Sequence, residues 1–220
     1  MDPPECNGHS HDHEHEDELG MSLRPQIDLP KVFCLNEEVE NAGRSVLKTH
    51  EGRLSATPSL TSPQDDPELL LFIPFTESVT LQSLSIRSVE SQETAPPKTI
   101  RIFTNRDDLD FETARELPPQ MQLELLPPYH FAEGSIDYPL RPAGRFQNIA
   151  SVTIFVQDNY DEGGEQPTEI TFVGLKGKGT NMKRVSVEAV YEKQGMPKDH
   201  KAMGGEMKER HFIGDAKDSM

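Results

Sequence analysis

The chain has 220 residues, of which 34% are hydrophobic, and its formal net charge at pH 7 is −16. This length suits one all-β domain with tails, and the negative charge disfavours binding to nucleic acids, favours basic protein partners and keeps copies of the chain apart as monomers. The longest apolar run, residues 69–73, is far shorter than the roughly 18 residues of a membrane span, so no membrane insertion is expected.

The chain begins with a polar segment. Residues 1–20 contain seven acids, no Lys or Arg and almost no large apolar side chain, so they cannot compensate for the entropy lost on ordering, and we predict a disordered tail. The segment lacks the basic start and apolar stretch of a signal peptide. Cys6 lies in it and Cys34 lies beyond it, so no structural disulfide is expected. These features predict a protein of the cytoplasm or the nucleus.

The first core-forming side chains follow this tail. They lie in residues 27–35 (IDLPKVFCL), and residues 36–67 are again polar and loop-rich. Residues 68–75 (ELLLFIPF) are almost entirely apolar and predict a buried strand. Proline cannot donate to a strand ladder, so we expect Pro74 to end this strand or to lie on an edge.

More strand signals follow in close succession. In residues 79–87 the apolar positions change parity between Leu81 and Leu84, which predicts a bulge or a bend. Residues 170–175 (ITFVGL) are apolar on both faces, which predicts a central strand. Other strands are predicted at residues 99–104, 121–126, 152–157 and 185–191.

Turn signals rather than helices separate these strands. A helix of about two turns is predicted near residues 111–117 (FETAREL). Many short strands joined by turns are typical of a β-sandwich. We therefore predict one sandwich domain over residues 21–192 and a flexible tail over residues 193–220.

The first tail contains the alternating histidines His9, His11, His13 and His15. Imidazole is a common ligand of zinc, nickel and copper, and alternate spacing in an extended chain places all four rings on one side. Such tracts are also a compositional feature of solvated tails. No resident cofactor is predicted, and metal handling through these histidines is kept as an alternative function.

Two further segments partly match known sites. Residues 158–163 (DNYDEG) with Glu169 have the spacing of a calcium loop, but Tyr160 stands where an oxygen ligand is needed, and an acidic hairpin loop explains them equally well. Residues 174–179 (GLKGKG) are rich in glycine, but a phosphate loop needs a helix after it, so these glycines are interpreted as the exit from a strand. No catalytic motif is found, and we predict that the chain is not an enzyme.

Four segments, in this order, resemble the PITH domain, the proteasome-interacting module found at the C-terminus of a thioredoxin-like protein and in shorter stand-alone proteins. The segments are residues 27–36, residues 65–75 (DDPELLLFIPF), residues 97–105 and residues 145–177. The His-rich start and residues 211–213 (HFI) resemble the stand-alone members. The sequence contains no C-x-x-C pair, so thioredoxin-type redox chemistry is not expected.

This resemblance implies a galactose-binding-like jelly-roll β-sandwich that docks on the proteasome regulatory particle. We interpret the matching residues as structural: Asp28, Cys34, Leu35, Asn36, Asp66, Glu68, Leu69, Pro74, Phe75, Asn105, Phe146, Thr168, Gly174 and Gly177. An alternative on the same fold is a site for a small carbohydrate-like ligand at the loop end, although four Tyr and no Trp offer little surface for stacking on sugar rings.

Overall fold

The computed structural model describes residues 20–89, 91–127 and 136–180. These ranges fall in the first of two compact units of the chain, Met1–Lys183. The predicted strand at residues 185–191 and the two predicted tails, apart from Gly20, lie outside the described residues. The described ranges contain ten strands, β1 to β10: Met21–Ser22, Phe33–Leu35, Leu60–Thr61, Leu69–Arg87, Thr99–Thr104, Met121–Glu124, Ile136–Pro139, Ile149–Val156, Glu169–Ile170 and Phe172–Gly179. They also contain two short α-helices, α1 and α2, at Ala42–Ser45 and Phe111–Glu116, and three 3-10 turns at Arg24–Gln26, Leu29–Lys31 and Ala143–Phe146.

The long strand β4 belongs to both layers of a sandwich. Its first half, up to Pro74, pairs with β2 on one side and with β8 on the other. Its second half, from Val79, pairs with β10 and β7. The first layer therefore has the order β2-β4-β8-β5-β6 and the second has the order β1-β10-β4-β7, with every pair antiparallel. A separate pair, β3 and β9, completes the structure.

The inner faces of the two layers form one apolar cluster. It takes Leu71 and Ile154 from the first layer, Leu84 and Val173 from the second, and Phe146 from the turn before β8. Each of these side chains is at most 2% exposed. Burying a side chain of this size stabilises the fold by roughly 1.5–3 kcal/mol.

A second apolar cluster covers the outer face of the first layer. Successive strand residues point to opposite faces, so Leu70 and Phe155 lie on the outer face, where they pack with Ala114 of α2. A reciprocal cap starts this helix: Asp110 Oδ1 accepts from the Thr113 amide at 2.8 Å, and Thr113 Oγ1 accepts from the Asp110 amide at 2.9 Å. The helix predicted near residues 111–117 is confirmed.

The prediction that Pro74 ends a strand or lies on an edge is wrong, because β4 continues through it. The Pro74 carbonyl accepts from the Asp28 amide at 2.9 Å. The N–H and C=O of a strand residue face the same side, so the position of the missing N–H also faces Asp28, away from Ser151 of β8. After Pro74 the pairing of β4 with β8 is irregular until Val79. Proline therefore costs the β4–β8 ladder no hydrogen bond.

The predicted bulge is confirmed. Lys176 pairs with Ser83 and Gly177 pairs with Leu81, so Gln82 is the extra residue of β4. At this bulge β10 lies so close to β4 that a Cβ atom on Gly177 would overlap the Thr80 carbonyl oxygen.

Two predictions about residues 170–179 are wrong. Residues 170–175 are not one central strand, because β9 ends at Ile170 and β10 begins at Phe172. Thr171 separates them, and its amide and hydroxyl both donate to the Arg87 carbonyl, at 2.8 and 3.1 Å. The interior placement holds for β10 alone, because it lies between the two-residue strand β1 and β4. The glycines of residues 174–179 are part of β10, where they allow close approach to β4, and are not its exit.

Candidate docking surface

Four loops carry a dense negative charge, and we call them together the acidic loop end. They contain eleven acids and no Lys, Arg or His. Side chains join the loops: Asn36 to Asp66, Gln64 to the Glu165 carbonyl, and Gln166 to the Gln92 carbonyl. The loops are residues 36–41, 62–68, 91–94 and 158–168.

Asn36 fixes the first of these loops to the second. Its Nδ2 donates to Asp66 Oδ2 at 2.9 Å and to the Glu68 carbonyl at 2.8 Å. Asp66 Oδ1 in turn accepts from the Glu68 amide at 3.1 Å. Asn36 also has φ 66°, a left-handed conformation that asparagine tolerates better than most residues. These contacts hold the start of β4 against the end of β2.

Glu68 connects this end to helix α2. Arg115 Nε donates to Glu68 Oε1 at 2.8 Å, and Arg115 Nη2 donates to Glu68 Oε2, so the contact is bidentate. The hydrogen bond from Arg115 to Glu68 raises the pKa of the guanidinium. Arg115 is half exposed, so the pair mainly orients α2 and contributes little to stability.

Thr168 joins the second loop to the fourth. Its side chain is fully buried, and its Oγ1 donates to the Pro67 carbonyl at 2.7 Å. Its amide donates to Ser62 Oγ at 2.8 Å, and Asn159 Nδ2 donates to its Oγ1 at 3.2 Å. Buried polar groups need hydrogen-bond partners, and those of Thr168 have them. Thr168 therefore holds the two loops together.

Asp161 shapes the fourth loop from within. Its carboxylate accepts from the amides of Gly163 at 3.1 Å, Glu165 at 2.7 Å and Gln166 at 2.8 Å. These hydrogen bonds, led by the one from Gln166, lower the pKa of Asp161. Its oxygens are thus already used by backbone amides, and the described residues contain no group of three or more side chains suited to hold a metal ion. The contacts are those of an acidic loop, with Glu162 and Glu165 exposed.

The structure brings together only some of the residues that resemble the family. Asn36, Asp66, Glu68 and Thr168 lie at the acidic loop end, with Leu35 beside them in β2. The others lie elsewhere in the fold. Asp28 forms an ion pair with Lys31, and Asn105 Oδ1 accepts a hydrogen bond from the Ala150 amide. Three of the remaining residues belong to the core and three lie within strands: Leu69, Phe75 and Phe146 in the core, and Pro74, Gly174 and Gly177 in strands. Contacts of this kind fit a structural role, which stays a prediction. The histidines at positions 9, 11, 13 and 15 lie outside the described residues.

Cys34 is a buried free thiol. Burial, followed by the negative charge of Glu37, raises its pKa. The thiolate is the reactive form of cysteine, so Cys34 is suited to packing rather than to nucleophilic chemistry.

Sequence reasoning missed two residues of this surface. Arg115 has no local signal that identifies Glu68 as its partner. Asp161 was considered as a calcium ligand or as a residue of an acidic hairpin loop, but not as a backbone-capping turn residue, although an aspartate two residues before a glycine is common in that role. That second interpretation would have identified its role.

No helix in the described ranges is long and apolar enough to cross a membrane. The fold is a galactose-binding-like jelly-roll sandwich, as expected. Its likeness to solved structures includes CBM32-3 from a family 31 glycoside hydrolase of Clostridium perfringens, with a TM-score of 0.51, 11% identity, and coverage of 75% of this chain and 99% of that one. At this identity the likeness concerns the fold alone.

The family profile for the PITH domain matches residues 13–195. The chain is 35% identical to PITH domain-containing protein 1 of Xenopus laevis over 185 residues, which cover 83% of each chain. It is 36% identical to PITH domain-containing protein ZK353.9 of Caenorhabditis elegans over 178 residues, covering 80% of this chain and 79% of that one. The chain belongs to the PITH domain family, and the expected resemblance is confirmed.

Proposed function

We propose that this chain is a non-catalytic docking module that binds the proteasome regulatory particle through its acidic loop end. The observation that carries the proposal is the acidic loop end itself, where loops free of Lys, Arg and His are fixed to one another by Asn36, Gln64 and Thr168. The identity of the proposed partner is inferred from the resemblance to the PITH domain. A partner of this kind places the protein in the cytoplasm or the nucleus.

A fixed acidic surface suits docking for a physical reason. The hydrogen bonds to Asp161 hold the loop that presents Glu162 and Glu165, so little conformational entropy is lost when a partner binds there. Exposed carboxylates steer a basic surface toward the loops and set its orientation. Binding of this type weakens as added salt screens the charges.

Binding of a small carbohydrate-like ligand is less well supported. The fold resembles CBM32-3, but a sugar site needs exposed aromatic faces with polar groups around them. Tyr160 is the single aromatic residue in the four loops. Its hydroxyl donates to the Leu125 carbonyl, and Lys98 Nζ lies 5.7 Å from its ring centroid. This ring is therefore already engaged within the protein.

Affinity capture of the full-length protein from a cytosolic extract, followed by mass spectrometry, tests the proposal. At near-physiological salt we expect subunits of the regulatory particle, and we expect their recovery to fall as salt is added. A clean capture without proteasome subunits would contradict the proposed partner. Recovery that salt does not change would contradict the use of the acidic surface.

A further inference from the structure

A small cleft with the opposite charge lies beside β10. The segment that follows β1 contributes Arg24, and the loop that follows α1 contributes Lys48, His50 and Arg53. Apolar walls, including Phe172, complete the cleft. On a chain of net charge −16, a group of cations around one concave site needs an explanation.

Loop carbonyls use only part of the hydrogen-bonding capacity of these cations. Arg24 Nε donates to the Leu47 carbonyl at 2.8 Å, and Lys48 Nζ donates to the Ser55 carbonyl at 2.9 Å. Arg53 Nη1 donates to the His50 carbonyl at 2.7 Å. A guanidinium has five N–H donors and an ammonium has three. Each of these side chains therefore has donors left for a ligand.

Acidic side chains of the described residues neutralise only part of this group. Asp137 contacts Ser85 and Lys176 of the cleft, and Glu51 lies near His50 and Arg53. None of them forms an ion pair with Arg24, Lys48 or Arg53, whereas Lys176, which also lines the cleft, is paired with Asp137 at 2.6 Å. Glu51 is the acid that interacts electrostatically with His50 and Arg53, and its side chain is hydrogen-bonded to Thr49 and to its own backbone.

A third arginine, Arg87, does not line the cleft but adds positive charge near Lys48. Arg87 Nη1 donates to the Leu54 carbonyl at 2.9 Å, and Arg87 Nε is buried with no hydrogen-bond partner among the described residues. Burial, and after it the charge of Arg87, lower the pKa of Lys48. A negative group beside Lys48 would offset both effects, because it favours the charged form of the ammonium.

The size of the cleft limits what it can hold. Its volume is about 30 Å³, enough for one small polar group but not for a sugar ring or a nucleotide. We propose that this cleft binds a single oxyanion presented by a peptide, which is either the carboxylate of an acidic side chain or the phosphate of a phosphorylated one. The planar donors of Arg24 and Arg53 suit both groups, and the apolar walls suit the peptide atoms beside the oxyanion.

Fluorescence anisotropy with the full-length protein tests this site. The probes are three labelled peptides that differ at one position, which is phosphoserine, glutamate or serine. We expect the phosphoserine or the glutamate peptide to bind and the serine peptide to bind at least about tenfold more weakly, since hydrogen bonds to charged groups are involved. The preferred peptide identifies which oxyanion the cleft takes.

Matched variants assign the binding to the cleft. Arg53→Gln and Lys48→Gln should each weaken binding about tenfold, and Lys48→Arg, which keeps the charge, should retain most of it. Lys178→Gln removes an exposed lysine outside the cleft and should leave the affinity unchanged.

Three results would overturn the proposal. They are equal binding of all three peptides, wild-type affinity in both Arg53→Gln and Lys48→Gln, or an equal loss of affinity in Lys178→Gln. Inorganic phosphate that binds as tightly as the phosphopeptide would overturn the requirement for a peptide. None of these variants alters the acidic loop end, so this site and the proposed docking surface can fail separately.

Discussion

Asn36 and Asp66 are 30 positions apart in sequence, yet Asn36 Nδ2 lies 2.9 Å from Asp66 Oδ2. The same amide group donates to the Glu68 carbonyl at 2.8 Å, so one side chain holds the entry of β4 in place. β4 is the strand that both layers share, and its entry also forms part of the acidic loop end. This contact therefore links the stability of the sandwich to the shape of the surface proposed for docking.

Asn36→Ala should destabilise the protein by about 3 kcal/mol. The variant loses hydrogen bonds to a carboxylate and a carbonyl and forces alanine into a left-handed conformation, which costs about 1 kcal/mol. The control is Asn41→Ala, because Asn41 has the same φ of 66° but no side-chain cap hydrogen bond. We expect Asn41→Ala to lower the free energy of unfolding by about 1 kcal/mol. Urea unfolding of both variants measures the difference, and equal losses would show that the Asn36 side-chain contacts contribute nothing.

Gly177→Ala should destabilise the protein by roughly 1–3 kcal/mol or more, since the new methyl group would overlap the Thr80 carbonyl where β10 meets the bulge. Gly144→Ala is the matched control, because a Cβ atom there meets nothing within 4 Å. Thermal unfolding should show a clear decrease in Tm for the first variant and almost none for the second. A wild-type Tm for Gly177→Ala would mean that the strands do not approach so closely.

Asp161→Asn should destabilise the protein at neutral pH and not at low pH. The pKa of Asp161 is lower in the folded protein than its unfolded value of about 3.9. Its contribution is therefore complete above the unfolded pKa and is lost as the pH falls through the folded pKa. Urea unfolding between pH 7 and pH 2.5 should show the difference from wild type shrinking below about pH 4. Glu162→Gln removes the same charge from the same loop and serves as the control, and a difference that does not vary with pH would contradict the role of the Asp161 carboxylate.

The Cys34 thiol should react with a thiol reagent only as fast as the protein opens. Burial and the raised pKa both disfavour the thiolate. A full-length Cys6→Ser chain leaves Cys34 as the single thiol, and absorbance with Ellman's reagent follows its reaction in buffer and in denaturant. Fast reaction of the folded protein would contradict the burial of this side chain and reopen a redox role.

Local signals were enough to predict several elements. The change of parity between Leu81 and Leu84 predicted the bulge at Gln82. The sequence of residues 111–117 predicted helix α2. Both features depend on neighbours within a few positions. The continuation of β4 through Pro74 depends instead on where its carbonyl points, and that is decided by Asp28, far away in sequence.

The acidic loop end could not be predicted as a surface. Its acids were visible in the sequence, but the four loops that carry them meet only through long-range contacts such as Gln64 with the Glu165 carbonyl. The cations of the cleft beside β10 could not be predicted to form one site for the same reason. Arg24 and Arg53 come together only when the loop after α1 packs against β10. The family resemblance predicted the fold and identified Asn36, Asp66 and Thr168, but not their partners.

The most direct test of the proposed function is the affinity of the full-length protein for purified proteasome regulatory particle. The variant Glu162→Lys/Glu165→Lys reverses two exposed charges in the loop that Asp161 fixes. Its control, Asp107→Lys/Glu116→Lys, makes the same change at two exposed acids outside the four loops. We predict that the wild type and the control bind alike, and that the loop variant binds at least about tenfold more weakly, as expected for lost charge pairs in an interface. Equal binding of all three proteins, or no binding of the wild type, would contradict docking through the acidic loop end.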